Sequence, residues 1–578
     1  KTSSHVSGSS VLALPACSRD SAYEEAADAR EGSRLGRHMR RGLVAFLLLG
    51  QPTAIVGDDI PELAPLPTIT WTTVTYTSTT LTYTSVTGTS VTTTSVTATS
   101  TTSTTSTTTT MNPDFKPVGD CTNRFRPPAN APFSATYYNG LVMNDTCFFN
   151  ENSDFNRTEF GNPVFLIGDW GGLNYGAGPV PADHTNASDP HKKRGINWVI
   201  DKSAQQRVAG QFNSHGKIRN PDYVLNVGDN FYWGGVSCPC GRPCWSHCET
   251  FQFKYIYEWI YKGPGVDGKQ WLGVLGNHDY GGWQYNMGWD QTVAYTWGGL
   301  KSSTNRWINP SQFYKARVHY DDFSVDYFMV DSNINDVRDN PWWDVNHNIC
   351  SAGHISPWSS CGKSGPANAW NCHIWFSDMW QKQMEWMDRL LRKSIVDEIQ
   401  WQIVVTHFPP WWGEKSWKWL SWRYGIDMFI TGHVHRQDAM APWRWDNPVK
   451  PTATIITGGG GGITSEFWPD NWGNDDQYGF MDMTLWKDKI KVQAISHGGQ
   501  VRNTITVEPR EPDWSPYGSK SENASKLAKK MMMFNFTNET IDGGNWTNSS
   551  NFSNEVEVSS TTPTPTPERP AELRSLAV

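Results

Sequence analysis

Five short apolar runs, each ending in a polar cluster, constrain the fold of this chain more than any other feature. Runs of this length and composition predict buried β-strands. The polar residues then follow the carboxyl end of a strand, where open α/β sheets form their binding sites. The runs are VFLIGDWGG (164–172), YVLNVGDNFY (223–232), WLGVLGNHDY (271–280), IVVTHFPPW (403–411) and MFITGHVHR (428–436).

The polar clusters together supply a set of metal ligands with nitrogen and oxygen donors. No cysteine is among them, so the set suits iron, zinc or manganese rather than a structural zinc knot. His433 and His435 are two residues apart, so on an extended segment both side chains point to the same side. The candidate ligands are Asp169, Asp229, Tyr232, Asn277, His407, His433 and His435.

Each oxygen donor suits a different role. Asp169 is a hard anion, and Asp229 can bridge two ions because each carboxylate oxygen can bind one. Tyr232 as a phenolate needs a strongly Lewis-acidic ion such as Fe(III), whereas Asn277 offers a neutral oxygen. Singly, such motifs occur more often in turns, structural histidine pairs and apolar cores than in metal sites. Their succession, each after a strand, predicts one dinuclear centre.

Composition limits the organisation and the partners of the chain. At 578 residues it exceeds one ordinary domain. Its formal net charge is −8 and it has no basic stripe, so nucleic acid is not an expected partner. Most of the 31 tryptophans are expected to pack in the core or on the surface, and a few to wall the site.

Residues 39–57, MRRGLVAFLLLGQPTAIVG, have the pattern of a secretory signal, a basic start before an apolar stretch. A signal anchor that keeps residues 43–56 in the membrane is the alternative, although the stretch is short for a span. We expect Met39 to be the true start and residues 1–38 to be an upstream extension. The predicted location is extracellular or at the cell surface, with a lysosome or vacuole as the alternative.

Glycosylation sequons of the form N-x-S/T agree with secretion. A single sequon has little weight, but six of them fall between residues 523 and 551. The acceptor residues are Asn144, Asn156, Asn186, Asn523, Asn535, Asn538, Asn545, Asn548 and Asn551.

The chain has 10 cysteines, and Cys17 precedes the predicted signal. The other nine should mostly pair in an oxidising compartment, with one left over. The cluster CPCGRPCWSHC (238–248) also contains His247, so a zinc knot is an alternative, but its spacings favour disulfides. The nine are Cys121, Cys147, Cys238, Cys240, Cys244, Cys248, Cys350, Cys361 and Cys372.

Low-complexity segments flank the predicted globular part. Residues 58–112 contain an almost pure Thr/Ser tract that cannot build a core, which predicts a disordered, O-glycosylated stalk. Residues 113–160 lead into a catalytic domain predicted over 161–510. Residues 511–578 carry the sequon cluster and TTPTPTPERP, and are predicted to be a solvated, glycosylated tail without a lipid-anchor signal.

Strand patterns alternate with helical patterns within residues 161–510. Helices that follow strands indicate an α/β sheet with helices outside. A glycine run at 458–462 lacks the G-K-[ST] of a phosphate-binding loop, so we interpret it as a turn that allows close backbone approach. Helices are predicted over 194–214, 249–261 and 378–394, and late strands over 452–462, 478–486, 489–497 and 501–507.

The order GDW, GDNFY, GNHD, VxxH and GHxH resembles that of the calcineurin-type metallophosphoesterases, and the tyrosine of GDNFY resembles the purple acid phosphatases. VGDNFYWGGV (227–236), RWINPSQFYKARV (306–318) and YGFMDMTLW (478–486) are similar to the tartrate-resistant acid phosphatase branch. The resemblance covers about residues 161–510. It implies an α/β fold of two packed mixed β-sheets flanked by helices, the four-layer metallophosphoesterase sandwich.

The resemblance also implies a mechanism and a ligand assignment. A hydroxide held by two metal ions would attack phosphorus in line at acidic pH, in a monomeric enzyme for small phosphomonoesters. Fe(III) would take Asp169, Tyr232, His435 and Asp229. A divalent Fe, Zn or Mn ion would take Asn277, His407, His433 and the same Asp229.

Two further residues are assigned catalytic roles by this resemblance. His278 would contact the phosphate and stabilise or protonate the leaving group, although a plain turn residue is the alternative. Asp279 would orient His278 or a ligand histidine. Family members usually carry another histidine in the loop after VxxH. Residues 408–425 contain none, so Glu414, Lys415 or a tryptophan is expected to line the cleft instead.

Two other functions remain as alternatives. One is a phosphodiesterase or nucleotidase of the same fold without Fe(III), against which Tyr232 argues. The other is a non-catalytic module on a stalk, against which the full ligand set argues.

Overall fold

The computed structural model describes the predicted catalytic domain almost continuously. The predicted signal segment, the tail, and Cys244 and Cys248 lie outside the described residues. Those residues are 71–77, 80–87, 90–96, 121–128, 140–149, 157–174, 178–179, 195–241, 251–298, 304–362 and 364–510.

The first of two large sheets has seven strands and contains three of the five predicted runs. Its first four strands are parallel, and the last three join antiparallel. From edge to edge they are β11 (Trp307–Ile308), β10 (Trp271–Gly273), β9 (Val224–Asn226), β6 (Asn162–Ile167), β18 (Gly479–Leu485), β19 (Ile490–Ser496) and β20 (Val501–Val507).

The second large sheet has eight strands and contains the other two runs. Four neighbouring strands near its centre are parallel. In order the strands are β16 (Gln437–Met440), β17 (Ala453–Thr457), β15 (Met428–Thr431), β14 (Trp401–Thr406), β13 (Ser324–Val330), β12 (Tyr314–His319) and β4 (Leu141–Val142), with β5 (Thr146–Cys147) also beside β12.

The two sheets pack face to face because their strands alternate between two buried surfaces. On β6, Val164 and Leu166 enter the core between the sheets, whereas Phe165 packs under the outer helices. On β14, Ile403 enters the same central core and Val404 faces the other outer layer. Burial on both faces explains why the runs are continuously apolar. The predicted fold, two packed mixed sheets with helices outside, is confirmed.

The helices of the described residues differ from the prediction mainly at their ends. The helix predicted from residue 194 begins at Ala204, because Asp201 and Asn197 side chains bind the backbone N–H groups of Asn197 and Val199 and hold turns there. The α-helices are α1 (Arg157–Phe160), α2 (Ala204–Arg219), α3 (Trp289–Gly298), α4 (Ala369–Val396) and α5 (Glu414–Tyr424). Asp201–Ser203 and Asn333–Asp336 are 3₁₀ turns, and Phe253–Glu258 is a π-helix.

Part of the Thr/Ser tract differs from the predicted disordered stalk. Three strands, β1 (Trp71–Thr77), β2 (Thr80–Thr87) and β3 (Ser90–Val96), form an antiparallel sheet. β-branched threonine and valine favour extended backbone, which is consistent with strand formation in this tract. A small hairpin of β7 (Leu173–Asn174) and β8 (Gly178–Pro179) completes the strands described. O-glycosylation of the tract stays a prediction.

Disulfides tie the loops of the domain together. Cys121–Cys147, Cys240–Cys361 and Cys350–Cys372 are bonded, and Cys238 is also disulfide-bonded. Cys238 and Cys240 are therefore in disulfides and not in a zinc knot. The preference for disulfides is confirmed at these two positions. Among the described residues, no helix combines the length and apolar character needed to cross a bilayer.

One fully buried carboxylate connects the second sheet to α4. Asp326 on β13 accepts hydrogen bonds from Lys315 Nζ at 2.8 Å and Arg317 Nε at 2.7 Å on β12. Ser394 Oγ of α4 donates to it at 2.7 Å. Burial alone would raise the pKa of Asp326, but Lys315 and Arg317 hold it well below its ordinary value. The carboxylate is the ion-pair partner of the buried Lys315 and shares Arg317 with Asp397, so its loss would leave Lys315 without the carboxylate that it bonds.

We expect Asp326→Asn to lower the free energy of unfolding by about 3–5 kcal/mol at neutral pH, the usual effect of breaking a buried ion pair. The folded-state pKa is depressed, so the stabilisation is complete above the unfolded pKa of about 4 and is lost as the pH falls below it. Urea unfolding at pH 7 and at pH 3 measures both effects. Asp378→Asn is the control, because its partner Lys382 is exposed and the pair is worth less than about 1 kcal/mol.

Candidate metal centre

The five polar clusters meet where the carboxyl ends of both sheets face each other. Asp169 follows β6, Asp229 follows β9 and Asn277 follows β10, all from the first sheet. His407 follows β14 and His433 follows β15, both from the second sheet. Parallel neighbours within each sheet place these ends side by side. The sandwich therefore supplies donors from two sides of one space.

One group of donors surrounds the phenol of Tyr232. Its hydroxyl donates to Asp229 Oδ2 at 2.9 Å and to Asp169 Oδ1 at 3.2 Å. His435 Nε2 lies 3.5 Å from the same hydroxyl and 3.4 Å from Asp169 Oδ1. Asp169, Asp229 and His435 are all buried, with potential ligand atoms within 4.8 Å of one another. Such spacing suits a single cation.

A second group centres on His407. Its Nε2 lies 3.1 Å from Asn277 Oδ1 and 3.3 Å from Asp229 Oδ2. Its Nδ1 lies 2.8 Å from the carbonyl oxygen of Val227, to which it can donate, so Nε2 is left for a ligand. Asp229 contacts both groups, as expected of a bridging carboxylate.

His433 and His278 border these two groups. The His433 ring lies 5.2 Å from the His407 ring, and its backbone N–H donates to both oxygens of Asp169. His278 Nδ1 lies 2.6 Å from the carbonyl oxygen of Trp233, and its backbone N–H donates to Asp229 Oδ1 at 2.8 Å. The rest of the His278 ring packs on Tyr232, with centroids 4.5 Å apart. His278 is thus adjacent to both carboxylate-bearing loops.

Close backbone approach brings the donors together. Asp169, Asp229 and His433 have φ values of 57°, 50° and 66°, a left-handed conformation that costs side-chain-bearing residues free energy. A Cβ on Gly276 would lie 2.1 Å from Asp229 Oδ1, and one on Gly458 only 2.3 Å from the carbonyl oxygen of Val434. The glycine run therefore allows close approach beside the centre, as the sequence predicts.

Burial and neighbouring charges shift the pKa values of several donors. Burial raises the pKa of Asp169, and it raises the pKa of Tyr232 well above its ordinary value, with both carboxylates adding to that effect. Burial alone would raise the pKa of Asp229, but His407 and His278 lower it strongly. Burial alone would lower the pKa of His407, yet Asp229 raises it to about 9. An ion of high charge would favour the ionised forms of Asp169 and Tyr232, so the donors fit metal ions.

Asp279 has partners other than the expected histidines. Its carboxylate accepts hydrogen bonds from the backbone N–H groups of Asn230 at 3.0 Å and Gly276 at 2.9 Å, and from Asn230 Nδ2 at 2.9 Å. These contacts connect the turn after Asp229 to the turn before Asn277. Burial, with the nearby Asp229, raises the pKa of Asp279 to about 7. Through these hydrogen bonds Asp279 connects the two loops.

The sequence analysis missed Asp336, a buried carboxylate in the 3₁₀ turn beyond β13. Burial raises the pKa of Asp336 to about 7, and the nearby side chain of Asn277 opposes that rise. Asn277 Oδ1 itself lies 3.1 Å from His407 Nε2. The signal was present, because YFMVDSN is a sixth apolar run that ends in a polar cluster. It was overlooked because Asp336 follows that strand by six residues.

The segment after His407 also differs from a simple loop. Residues 414–424 form α5, in which Glu414 pairs with Lys418. The Trp412 ring lies 5.0 Å from the His433 ring in an edge-to-face arrangement. Of the residues expected to line the cleft, the structure thus brings a tryptophan to the candidate ligands.

Comparison with known families finds one matching model. Residues 163–437 match the calcineurin-like phosphoesterase family. All the candidate ligands, with His278 and Asp279, fall within this range.

Curated relatives are acid phosphatases of low identity. Rabbit (Oryctolagus cuniculus) tartrate-resistant acid phosphatase type 5 is 23% identical over 280 residues, which is 46% of this chain and 65% of the relative. Purple acid phosphatase 3 of Arabidopsis thaliana is 25% identical over 267 residues, 44% of this chain and 58% of the relative. The chain therefore spans about 58–65% of the length of these relatives.

A solved structure with a similar arrangement is GAP50, the anchor in the inner membrane complex of Plasmodium. It has a TM-score of 0.39 and 16% identity, and the match covers 64% of this chain and 94% of GAP50.

Removing the Asp279 carboxylate should loosen both loops that carry donors. We expect Asp279→Ala to weaken metal retention by about 10- to 100-fold, the usual effect of losing a group that orients ligands. Metal content after dialysis against a weak chelator measures this. Asp290→Ala is the matched control, because Asp290 is also buried and accepts a backbone N–H, from Gly241 at 2.7 Å. Equal metal loss in both variants would indicate general unfolding instead.

Proposed function

The chain carries a calcineurin-like phosphoesterase domain over residues 163–437, and on this premise we propose that it is an acid phosphatase that hydrolyses phosphomonoesters. One observation carries the proposal: Asp229 lies in hydrogen-bonding or ion-pairing distance of both Tyr232 and His407, at the junction of two donor groups. Two sites that share a carboxylate are the arrangement needed to hold two cations together.

The proposed ligands fall into the same two groups as the contacts, one around Tyr232 and one around His407. Fe(III) fits the group around the Tyr232 hydroxyl, since only a strongly Lewis-acidic ion ionises a phenol whose pKa burial has raised. A divalent iron, zinc or manganese ion fits Asn277, His407 and His433. When bound, such a pair supplies Lewis acidity toward the phosphate and lowers the pKa of a coordinated water.

His278 is the proposed contact to the departing group. Its Nδ1 is used by the carbonyl oxygen of Trp233, and its backbone N–H is used by Asp229. The ring therefore keeps a fixed orientation, with Nε2 as its remaining polar atom. In the cationic ring Nε2 carries a proton, so it can bind a phosphate oxygen or transfer that proton to a leaving alkoxide. This role needs no movement of the two loops that Asp279 joins.

We propose that the protein is secreted or at the cell surface. The bonded pairs Cys121–Cys147, Cys240–Cys361 and Cys350–Cys372 support an oxidising compartment. The signal-like segment 39–57 and the sequons add to this proposal. The alternative is that a signal anchor retains the protein in the membrane.

We expect the purified protein to hydrolyse a generic aryl phosphate monoester with maximal rate below neutral pH. Asp229→Asn should abolish metal retention and reduce turnover by more than about 100-fold, because it removes a ligand shared by both sites rather than a supporting group. Metal analysis and a pH–rate profile test both statements. Asp488→Asn, at a side chain 75% exposed, is the control.

Three results would contradict the assignment in different ways. An Asp229→Asn protein with normal turnover would exclude this centre. Bound metal without monoester turnover, but with diester turnover, would favour a phosphodiesterase. Metal content far below two ions per chain, with no turnover, would favour a non-catalytic module.

Tyr232→Phe should remove the visible absorption band of an Fe(III)–phenolate while keeping part of the activity. The reason is that Asp169, Asp229 and His435 remain to hold the ion. Absorption spectra of the iron-loaded proteins measure the colour. Tyr280→Phe is the matched control, because it removes a buried phenol that bonds Asp331 at 2.8 Å instead. A band that persists in Tyr232→Phe would assign the chromophore to another group.

A further inference from the structure

Aromatic rings reach the candidate metal centre from two directions. On the His278 side, the Trp233 ring lies 4.6 Å from the imidazole, and 39% of Trp233 is exposed. On the His433 side, the rings of Phe408 and Trp412 lie 4.0 Å and 5.0 Å from that imidazole. Trp412 is half-buried. Both tryptophans thus combine contact with the centre and a surface open to solvent.

Further rings restrain these two tryptophans. Trp283 stacks on Trp233 with centroids 5.6 Å apart, and His354 stacks on Trp283 at 4.5 Å. His354 is itself held by Asn346 Oδ1, 3.0 Å from its Nε2. Trp411 packs against Trp412 at 5.3 Å. Because the exposed rings have neighbours behind them, binding a ligand on them costs little side-chain entropy.

On the His433 side, the side chains can pack against a bound phosphoester but are not suited to protonate its leaving group. Phe408 has no transferable proton, and the indole N–H of Trp412 is far too weakly acidic to protonate an alkoxide. Glu414, the nearest acid in this segment, is paired with Lys418. What this side can contribute to a bound phosphoester is therefore aromatic surface, which favours a flat ring in the part of the substrate beyond the phosphate.

Building on the proposed function, we infer that Trp412, on the His433 side, forms a subsite for a planar aromatic ring in the group that carries the phosphate, and that Trp233 offers a second such surface on the His278 side. Two kinds of substrate share this chemistry. In a phenolic ester the ring bears the phosphate oxygen directly, whereas in a nucleoside 5′-monophosphate a sugar separates ring and phosphate. Ring packing on one tryptophan should raise kcat/KM by about tenfold over a ring-free analogue.

The test uses substrate pairs that differ in aromatic surface but share the type of leaving group. Adenosine 5′-monophosphate and ribose 5-phosphate both release a primary alcohol, and 2-naphthyl and phenyl phosphate both release a phenol. For the full chain we expect a higher kcat/KM for the first member of each pair. In Trp412→Ala this ratio should fall by about tenfold. Trp422→Ala is the matched control, since Trp422 is on α5 and 47% exposed, and it should keep the ratio.

Each outcome bears on the inference. A loss confined to the naphthyl pair assigns the subsite to phenolic esters, and a loss confined to the nucleotide pair assigns it to nucleotides. Wild-type ratios near one in both pairs, or ratios that Trp412→Ala leaves unchanged, would overturn it.

Failure of the proposed function gives a different result, namely no hydrolysis of any of the four compounds. Calorimetric binding then decides the subsite by itself. Tighter binding of adenosine 5′-monophosphate than of ribose 5-phosphate, lost in Trp412→Ala and kept in Trp422→Ala, would support it. Equal binding of the two would reject it.

Discussion

The mutual burial of two β-sheets is the constraint on which the rest of this structure depends. Each central strand has one face in the core between the sheets and the other under a helical layer, so its register cannot slip without exposing one set of apolar side chains. With register fixed, the carboxyl ends of β6, β9 and β10 stand opposite those of β14 and β15. Each donor follows a strand whose two faces are both buried. The donors therefore meet at the ends of these strands, between the two sheets.

Charge compensation is the second requirement of this arrangement. Carboxylates, imidazoles and a phenol share a space from which water is largely excluded, and burial moves the pKa of Asp169 and Tyr232 upward. Asp229 and His407 compensate each other, and Asp169 lies 3.4 Å from His435 Nε2. Two buried carboxylates beside a phenol favour the binding of positively charged ions. The same donors that would be costly in an ordinary core are therefore well suited to metal ions.

Supporting contacts show how loops without regular structure become rigid. Asp279 joins the turns that carry Asp229 and Asn277. Outside these, stacked aromatic rings and the Cys350–Cys372 disulfide restrain the segment that contains His354. Hydrogen bonds thus fix the positions of the donors in the centre, and aromatic packing restrains the side chains at its border. The two kinds of contact leave Trp233 and Trp412 ordered and accessible.

Local pattern in the sequence determined the strands, their two-sided burial and the identity of the donors that follow them, because apolar periodicity and strand ends are encoded within a few residues. Helix limits were less predictable, since Asn197 and Asp201 bind backbone groups that the helical pattern would otherwise use. Only the tertiary structure decided which donors share a neighbour, that Asp279 holds loops rather than a histidine, and that Asp336 and Trp412 border the centre. Several of these contacts join residues far apart in sequence, such as Asn230 with Asp279 (49 positions) and Asp169 with His433 (264 positions). Such pairings depend on how the two sheets face each other, which no local pattern specifies.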